Sequence, residues 1–250
     1  MKRFFKISLR FFVGLFILGV LGLGTLYILY HESLPEGKEG PEAEAMADRM
    51  LEAVNADAWS EVRYLSWGFP RGHDFVWDRQ RNKVQVEWDD HRAQLDAETG
   101  KGLVFEKGEP VLGTDADETL KTAQNYFWND SFWLLAFLKV RDPGTVRSVV
   151  DLENGEKGLL VTYQSGGSTP GDSYLWQLGP DGRPTSWKMW VNIIPIGGLE
   201  FTWENWKQTP NGAWYAPMHD GSLLDVEITN VRTANSLEEL KLPANLFQNI

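Results

Sequence analysis

Asp74-Phe75-Val76-Trp77-Asp78-Arg79-Gln80-Arg81-Asn82-Lys83-Val84-Gln85-Val86-Glu87-Trp88-Asp89 carries a plain strand–turn–strand pattern. Phe75 and Trp77 alternate with Asp74, Val76 and Asp78; beyond a polar tetrad, Val84, Val86 and Trp88 alternate with Gln85, Glu87 and Asp89. Successive side chains of a strand point to opposite faces, so a period of two predicts two strands with one wet and one buried side. Arg79-Gln80-Arg81-Asn82 is then the hairpin turn. Upstream, Arg63, Leu65, Trp67 and Phe69 alternate with Val62, Tyr64 and Ser66, and downstream 93–96 and 103–106 flank Glu98-Thr99-Gly100. Together they predict an antiparallel meander.

A second run of strand signals fills 146–151, 158–163, 173–178, 185–193, 199–207, 213–218 and 223–232. Gly179-Pro180-Asp181-Gly182 and Thr209-Pro210-Asn211-Gly212 supply the turns between neighbours. Helices are expected elsewhere. Pro41 opens one over 41–58, with Met46, Met50, Ala53 and Val54 on one face and Glu42 and Glu44 in the first turn. Thr114 and Asp117 form a capping-box-like pair ahead of Leu120, Ala123 and Phe127. A further helical piece starts near Asp130, carries Phe132, Trp133, Leu134, Leu135, Phe137 and Leu138, and stops at Asp142-Pro143-Gly144. Residues 236–241 predict a short C-terminal helix. The fold class is therefore α+β: a curved, mostly antiparallel sheet packed on a few helices over 41–250, with no internal repeat.

Phe11 to Tyr30 carries no charge and is almost wholly apolar. As a helix it would rise about 30 Å, one hydrocarbon thickness. Residues 1–30 thus predict a cytoplasmic N-terminus and a transmembrane signal-anchor helix, with Lys2, Arg3, Lys6 and Arg10 holding the start inside. Residues 31–40, with Pro35 and two glycines, read as a linker to a domain on the periplasmic side of a bacterial inner membrane. A cleaved signal peptide, ending near Gly22 and Gly24, is the rival and would release the domain into the periplasm. Cysteine is absent, which excludes disulfides and thiolate chemistry, and the net charge of −11 makes nucleic acid a poor partner, so none is expected. No pattern in the sequence sets an oligomeric state.

The chain holds twelve tryptophans. Leu65, Trp67, Phe75, Trp77, Trp88, Trp176, Trp190, Phe201 and Trp203 are expected on one aromatic face of the sheet, with Trp133 and Phe137 of the helix laid against it. These are the candidate ligand-lining residues; a filled core is the equally weighted alternative. No catalytic residue, cofactor or metal ligand is expected. His73, His91 and His219 lack ligand spacing, and Asp115-Ala116-Asp117 lacks the glycine and glutamate of a calcium loop. Gly166-Gly167-Ser168-Thr169-Pro170-Gly171-Asp172 is glycine-rich but has neither the lysine nor the helix of a phosphate loop, and reads as a hairpin loop.

Asn129-Asp130-Ser131-Phe132-Trp133-Leu134-Leu135-Ala136 with Asp142-Pro143-Gly144, then Pro170-Gly171-Asp172 and Ile194-Pro195-Ile196-Gly197-Gly198, lie within this helix-and-meander order. Over about 41–232 the chain resembles the bacterial lipoprotein-carrier (LolA/LolB-like) superfamily, in an uncharacterised membrane-anchored subgroup. The resemblance implies an incomplete barrel wrapped around helices, with an apolar cavity for acyl chains or a partner's hydrophobic segment. It assigns no individual binding residue. The sequence reading is a membrane-anchored, non-enzymatic binder of an apolar ligand or lipidated protein. The alternative is a structural or sensing subunit with a filled interior; a hydrolase ranks third.

Overall fold

The structure, a computed structural model, describes residues 16, 18–19, 21–22, 24–165 and 169–250. Helices Pro41–Ala53 (α1) and Ala56–Glu61 (α2) precede Tyr64–Phe69 (β1), His73–Asp78 (β2), Lys83–Trp88 (β3), His91–Asp96 (β4), Gly102–Glu106 (β5) and Glu109–Val111 (β6). Thr114–Leu135 (α3) follows and runs into a 3-10 segment, Ala136–Arg141. Then come Thr145–Asp151 (β7), Lys157–Tyr163 (β8), Ser173–Leu178 (β9), Pro184–Trp190 (β10) and Leu199–Thr202 (β11). Four short strands, Lys207–Gln208 (β12), Trp214–Tyr215 (β13), Met218–His219 (β14) and Val226–Glu227 (β15), lead to Thr229–Ala234 (β16).

The strands divide into two antiparallel sheets where the sequence reading expected one. The first has seven strands in the order β16-β1-β2-β3-β4-β5-β6, and the second five in the order β11-β10-β9-β8-β7. The meander register is as the alternation requires: Leu65 opposes Trp77, Trp67 opposes Phe75, and Phe75 opposes Val86. All but Trp77 of these are buried. β16 returns to pair with β1, through a bulge between Ser66 and Gly68, and so forms one edge of the sheet beside a partner far away in the chain.

α3 is the common floor of both sheets. Just past its middle it lays Phe127 on Trp67 and Trp77 of the first sheet, at ring distances of 6.3 and 5.1 Å. Its C-terminal half lays Phe132 and Trp133 on Trp187 of the second, at 5.7 and 5.3 Å. Phe137 then reaches Trp59 and Trp203. One core cluster contains all of these residues, and interdigitated aromatics of this size hold the two sheets to one helix.

Several boundaries differ from the sequence reading, each for a local reason. The first helix breaks after Ala53, because Asn55 takes a left-handed φ of 55° and its side chain accepts a bond from Ala58 N, starting α2. α3 starts after Gly113, at φ 73°, with no side-chain cap, so Thr114 and Asp117 are not a capping pair. It also runs unbroken through Asp130, where a second helix was expected. Residues 236–241 form hydrogen-bonded turns, such as Leu240 N to Leu237 O at 3.0 Å, and no helix. Leu237, Leu240 and Phe247 of that tail cover Tyr64 on the outer side of the first sheet.

The predicted transmembrane helix requires correction. Among the described residues no helix is long and apolar enough to cross a membrane. The unbroken described helical stretch, residues 24–30, would rise only about 10 Å, a third of a hydrocarbon core. Residues 1–15, 17, 20 and 23 of that expectation lie outside the described residues. The predicted linker is laid along the second sheet: Glu32 N donates to Gly197 O at 2.9 Å, Trp190 Nε1 donates to Glu32 O at 2.8 Å, and Lys38 bridges to Val149.

Candidate functional site

On the concave side of the second sheet, β8 to β11 form a ladder. Leu159 opposes Trp176, Trp176 opposes Trp187, and Trp187 opposes Phe201, with Tyr174 and Met189 one step along on the same face. Trp187 is fully buried at its centre. Between this face and the C-terminal half of α3 lies a cavity of about 580 Å³, within the usual range of small-molecule sites. Phe132 and Trp133 wall it from the helix side, and Tyr163, Tyr174, Trp187 and Met189 from the sheet side. Phe132, Trp133 and Tyr163 are only half-buried. Val191, Ile193 and Ile194, from the bend between β10 and β11, stand at its mouth, and Ile193 is 74% exposed.

The polar groups of the cavity are few. Asn129 and Ser131 come from α3, and Lys139 lies 3.4 Å from Asp142. Asp172, buried in the wall, accepts from Asn192 N at 2.9 Å and from the Thr169 hydroxyl. Burial pushes the Asp172 carboxyl above the usual carboxylate range, against the pull of those two bonds. Burial likewise raises the Tyr174 and Tyr163 phenols, the first helped by the negative Asp172, the second by Tyr174 and the negative Asp142. Behind the wall, His73 Nδ1 lies 2.7 Å from Asp130 Oδ2, and Asn129 Nδ2 donates to Asp130 Oδ1 at 2.8 Å. Burial raises the Asp130 carboxyl despite its Asn129 and His73 bonds.

Of the candidate lining residues, Trp77 and Trp133 reach this cavity. Leu65, Trp67, Phe75, Trp88, Phe137, Trp176, Phe201 and Trp203 are buried in the core beneath and beside it. Trp190 is elsewhere: it packs on Val150, Leu160 and Leu175 at the outer face of the second sheet. The residues that reasoning from the sequence missed are Phe132, Tyr163, Tyr174, Trp187 and Met189. The alternation Trp187-x-Met189 was present in β10, but Trp190, one residue past it, has the opposite parity. His219 is also placed apart from the other histidines, buried between Trp133 and Trp203. Among the described residues no group of three His, Asp or Glu side chains stands close enough to hold a metal.

Residues 166–168 of the glycine-rich loop lie outside the described residues; the loop joins the paired strands β8 and β9. A second hollow, of about 660 Å³, opens between the β12–β13 ribbon and β16, and is lined by Trp206 and Tyr215 with Asn205, Lys207, Glu227 and Asn230. It is the more open and the more polar of the two.

No protein-family model matches the chain. No curated protein matches it. Among solved structures it is similar to a DUF1329 family protein from Desulfovibrio piger, at 9% identity and a TM-score of 0.38, over 82% of this chain and 96% of that one. It is also similar to a domain from Vibrio parahaemolyticus assigned as an outer membrane lipoprotein-sorting protein, at 10% identity and a TM-score of 0.37, over 81% and 99% of the two chains. At that degree of likeness, what this chain does has to be argued from its own residues.

Proposed function

We propose that this protein binds a long-chain apolar ligand in the cavity between α3 and the second sheet, and that it performs no chemistry on it. The observation that carries the reading is that Phe132 and Trp133 stay half-buried beside a hollow of about 580 Å³, while Trp67, Phe137, Trp176, Trp187 and Trp203 of the same core are closed off. An unfilled apolar hollow forfeits contacts that an alkyl chain restores, at ~0.8 kcal/mol per buried methylene. The lining also supplies polar groups, among them Asn129, Lys139 and Asp142, which suits an amphiphile with its head beside them.

Binding is favoured over catalysis by what surrounds the buried His73–Asp130 pair. Among the described residues His73 makes no hydrogen bond to a hydroxyl group that could act as a nucleophile. The second reading, a structural subunit with a filled interior, is favoured by the close packing of Trp67, Trp176, Trp203 and Phe137. Denaturing extraction of the purified full chain followed by mass spectrometry separates the two. A co-purifying acyl or alkyl compound near one per chain supports the binder. Its absence, with no change in tryptophan fluorescence on adding a neutral long-chain amphiphile, supports the filled subunit.

A further inference from the structure

We propose that the ligand's head group carries no negative charge: the cavity accepts long-chain amphiphiles with neutral or cationic heads and rejects fatty carboxylates and phosphate monoesters. This deepens the binding reading above and rests on it. Lys139 is the one cation among the described lining residues, whereas Glu98, Asp142 and Asp172 are all carboxylates. Lys139 is already matched by Asp142 at 3.4 Å, which leaves its charge largely compensated before any ligand arrives. Asp172 is 4% exposed, and among the described residues it pairs with no cation; only the Thr169 hydroxyl and Asn192 N–H serve it.

The negative field of these carboxylates reaches the interior, since Asp172 acts on the Tyr174 phenol and Asp142 on that of Tyr163, both in the cavity wall. Asp172 is shielded from bulk water, where its field is weakly screened, whereas Glu98 and Asp142 stand at the wet rim and are screened by salt. An anionic head would have to shed its hydration and then meet like charge, with no free cation to receive it. An ammonium head gains from the same field, and a glycerol head is indifferent to it while finding hydrogen-bond partners in Asn129, Ser131 and Asp142. The net charge of −11 on the whole chain acts in the same direction during approach.

The test is calorimetric titration of the full chain at neutral pH with three probes that share one twelve-carbon chain: dodecylamine, monolauroylglycerol and laurate. Dodecylamine and monolauroylglycerol are expected to bind, and laurate to bind at least roughly tenfold more weakly than the glycerol ester, a gap that narrows as salt is added. Asp142→Asn, at a half-exposed position, frees Lys139 but keeps a side-chain oxygen acceptor; it is expected to improve laurate binding several-fold and to change monolauroylglycerol binding far less. Laurate binding as tightly as monolauroylglycerol, or tighter, overturns this inference and leaves the binding reading standing. Failure of all three probes to bind overturns the binding reading itself.

Discussion

Acidification acts on this protein through His219. Its side chain is wholly buried against Trp203 and Trp133, with ring centroids 4.4 and 5.6 Å away, and Nδ1 lies 3.0 Å from the Thr202 carbonyl. Burial, outweighing the opposing pull of the Thr202 and Trp133 backbone groups, lowers its pKa from 6.5 to about 4. Between those values the unfolded chain takes up a proton that the folded one refuses. Stability therefore falls as pH drops from 6.5 towards 4, and the contribution levels off below. At 1.36 kcal/mol per unit the loss is about 3 kcal/mol from this one group. His219→Asn keeps an N–H donor near the Thr202 carbonyl and removes the titration. Urea unfolding of both proteins at pH 7 and pH 4, followed by tryptophan emission, separates this group from the carboxylates, which titrate alike in the two. The variant starts lower at pH 7 because it fills less space, but its loss on acidification is expected to be smaller by about 3 kcal/mol. Equal losses in the two proteins would refute the reasoning.

Phe137→Ala, at a fully buried site shared by Trp59 and Trp203, is expected to cost about 3–5 kcal/mol in urea unfolding. Trp133→Ala is expected to cost less, since that ring is only half-buried, and yet to abolish the response of tryptophan emission to a neutral amphiphile. Gly102→Ala would set a Cβ 1.9 Å from Gln94 O across the β4–β5 ladder, so a loss of at least about 1–3 kcal/mol is expected, read as a lower unfolding midpoint. Asp130→Ala strands His73 in the interior at an expected cost of about 3–5 kcal/mol, while the double variant His73→Phe with Asp130→Leu is expected to recover much of that loss; an additive double variant would show that the pair is not coupled.

Much of the fold was legible because it is local. The β2–β3 hairpin follows from a period of two and a polar turn, and β8 and β9 fall almost where alternation and the glycine-rich turns put them. What the sequence hid is long-range or turns on a single residue. No local signal announces that β16 crosses back to β1, or that the strands part into two sheets, because both depend on partners distant in the chain. Asn55 breaks a helix through a left-handed backbone that the apolar spacing of its neighbours does not betray. The aromatic content pointed to the concave surface, yet it does not separate the rings that close the core from those that border the hollow. That distinction is made by parity and by depth: Trp187 faces in and Trp190 faces out, three residues apart on one strand. The apolar N-terminus was read by composition alone, and composition does not fix the length of a helix.

The account rests on the hollow beside Phe132 and Trp133 accepting an alkyl chain, and anomalous scattering from crystals grown with 12-bromododecanol locates that chain directly. The bromine is expected between Trp133 and the Trp187–Met189 face of β10, with the alcohol towards Asn129 and Lys139. A bromine found only in the polar groove at Trp206 and Tyr215, or at no ordered position while the side chains of α3 and β10 close on one another, would contradict it.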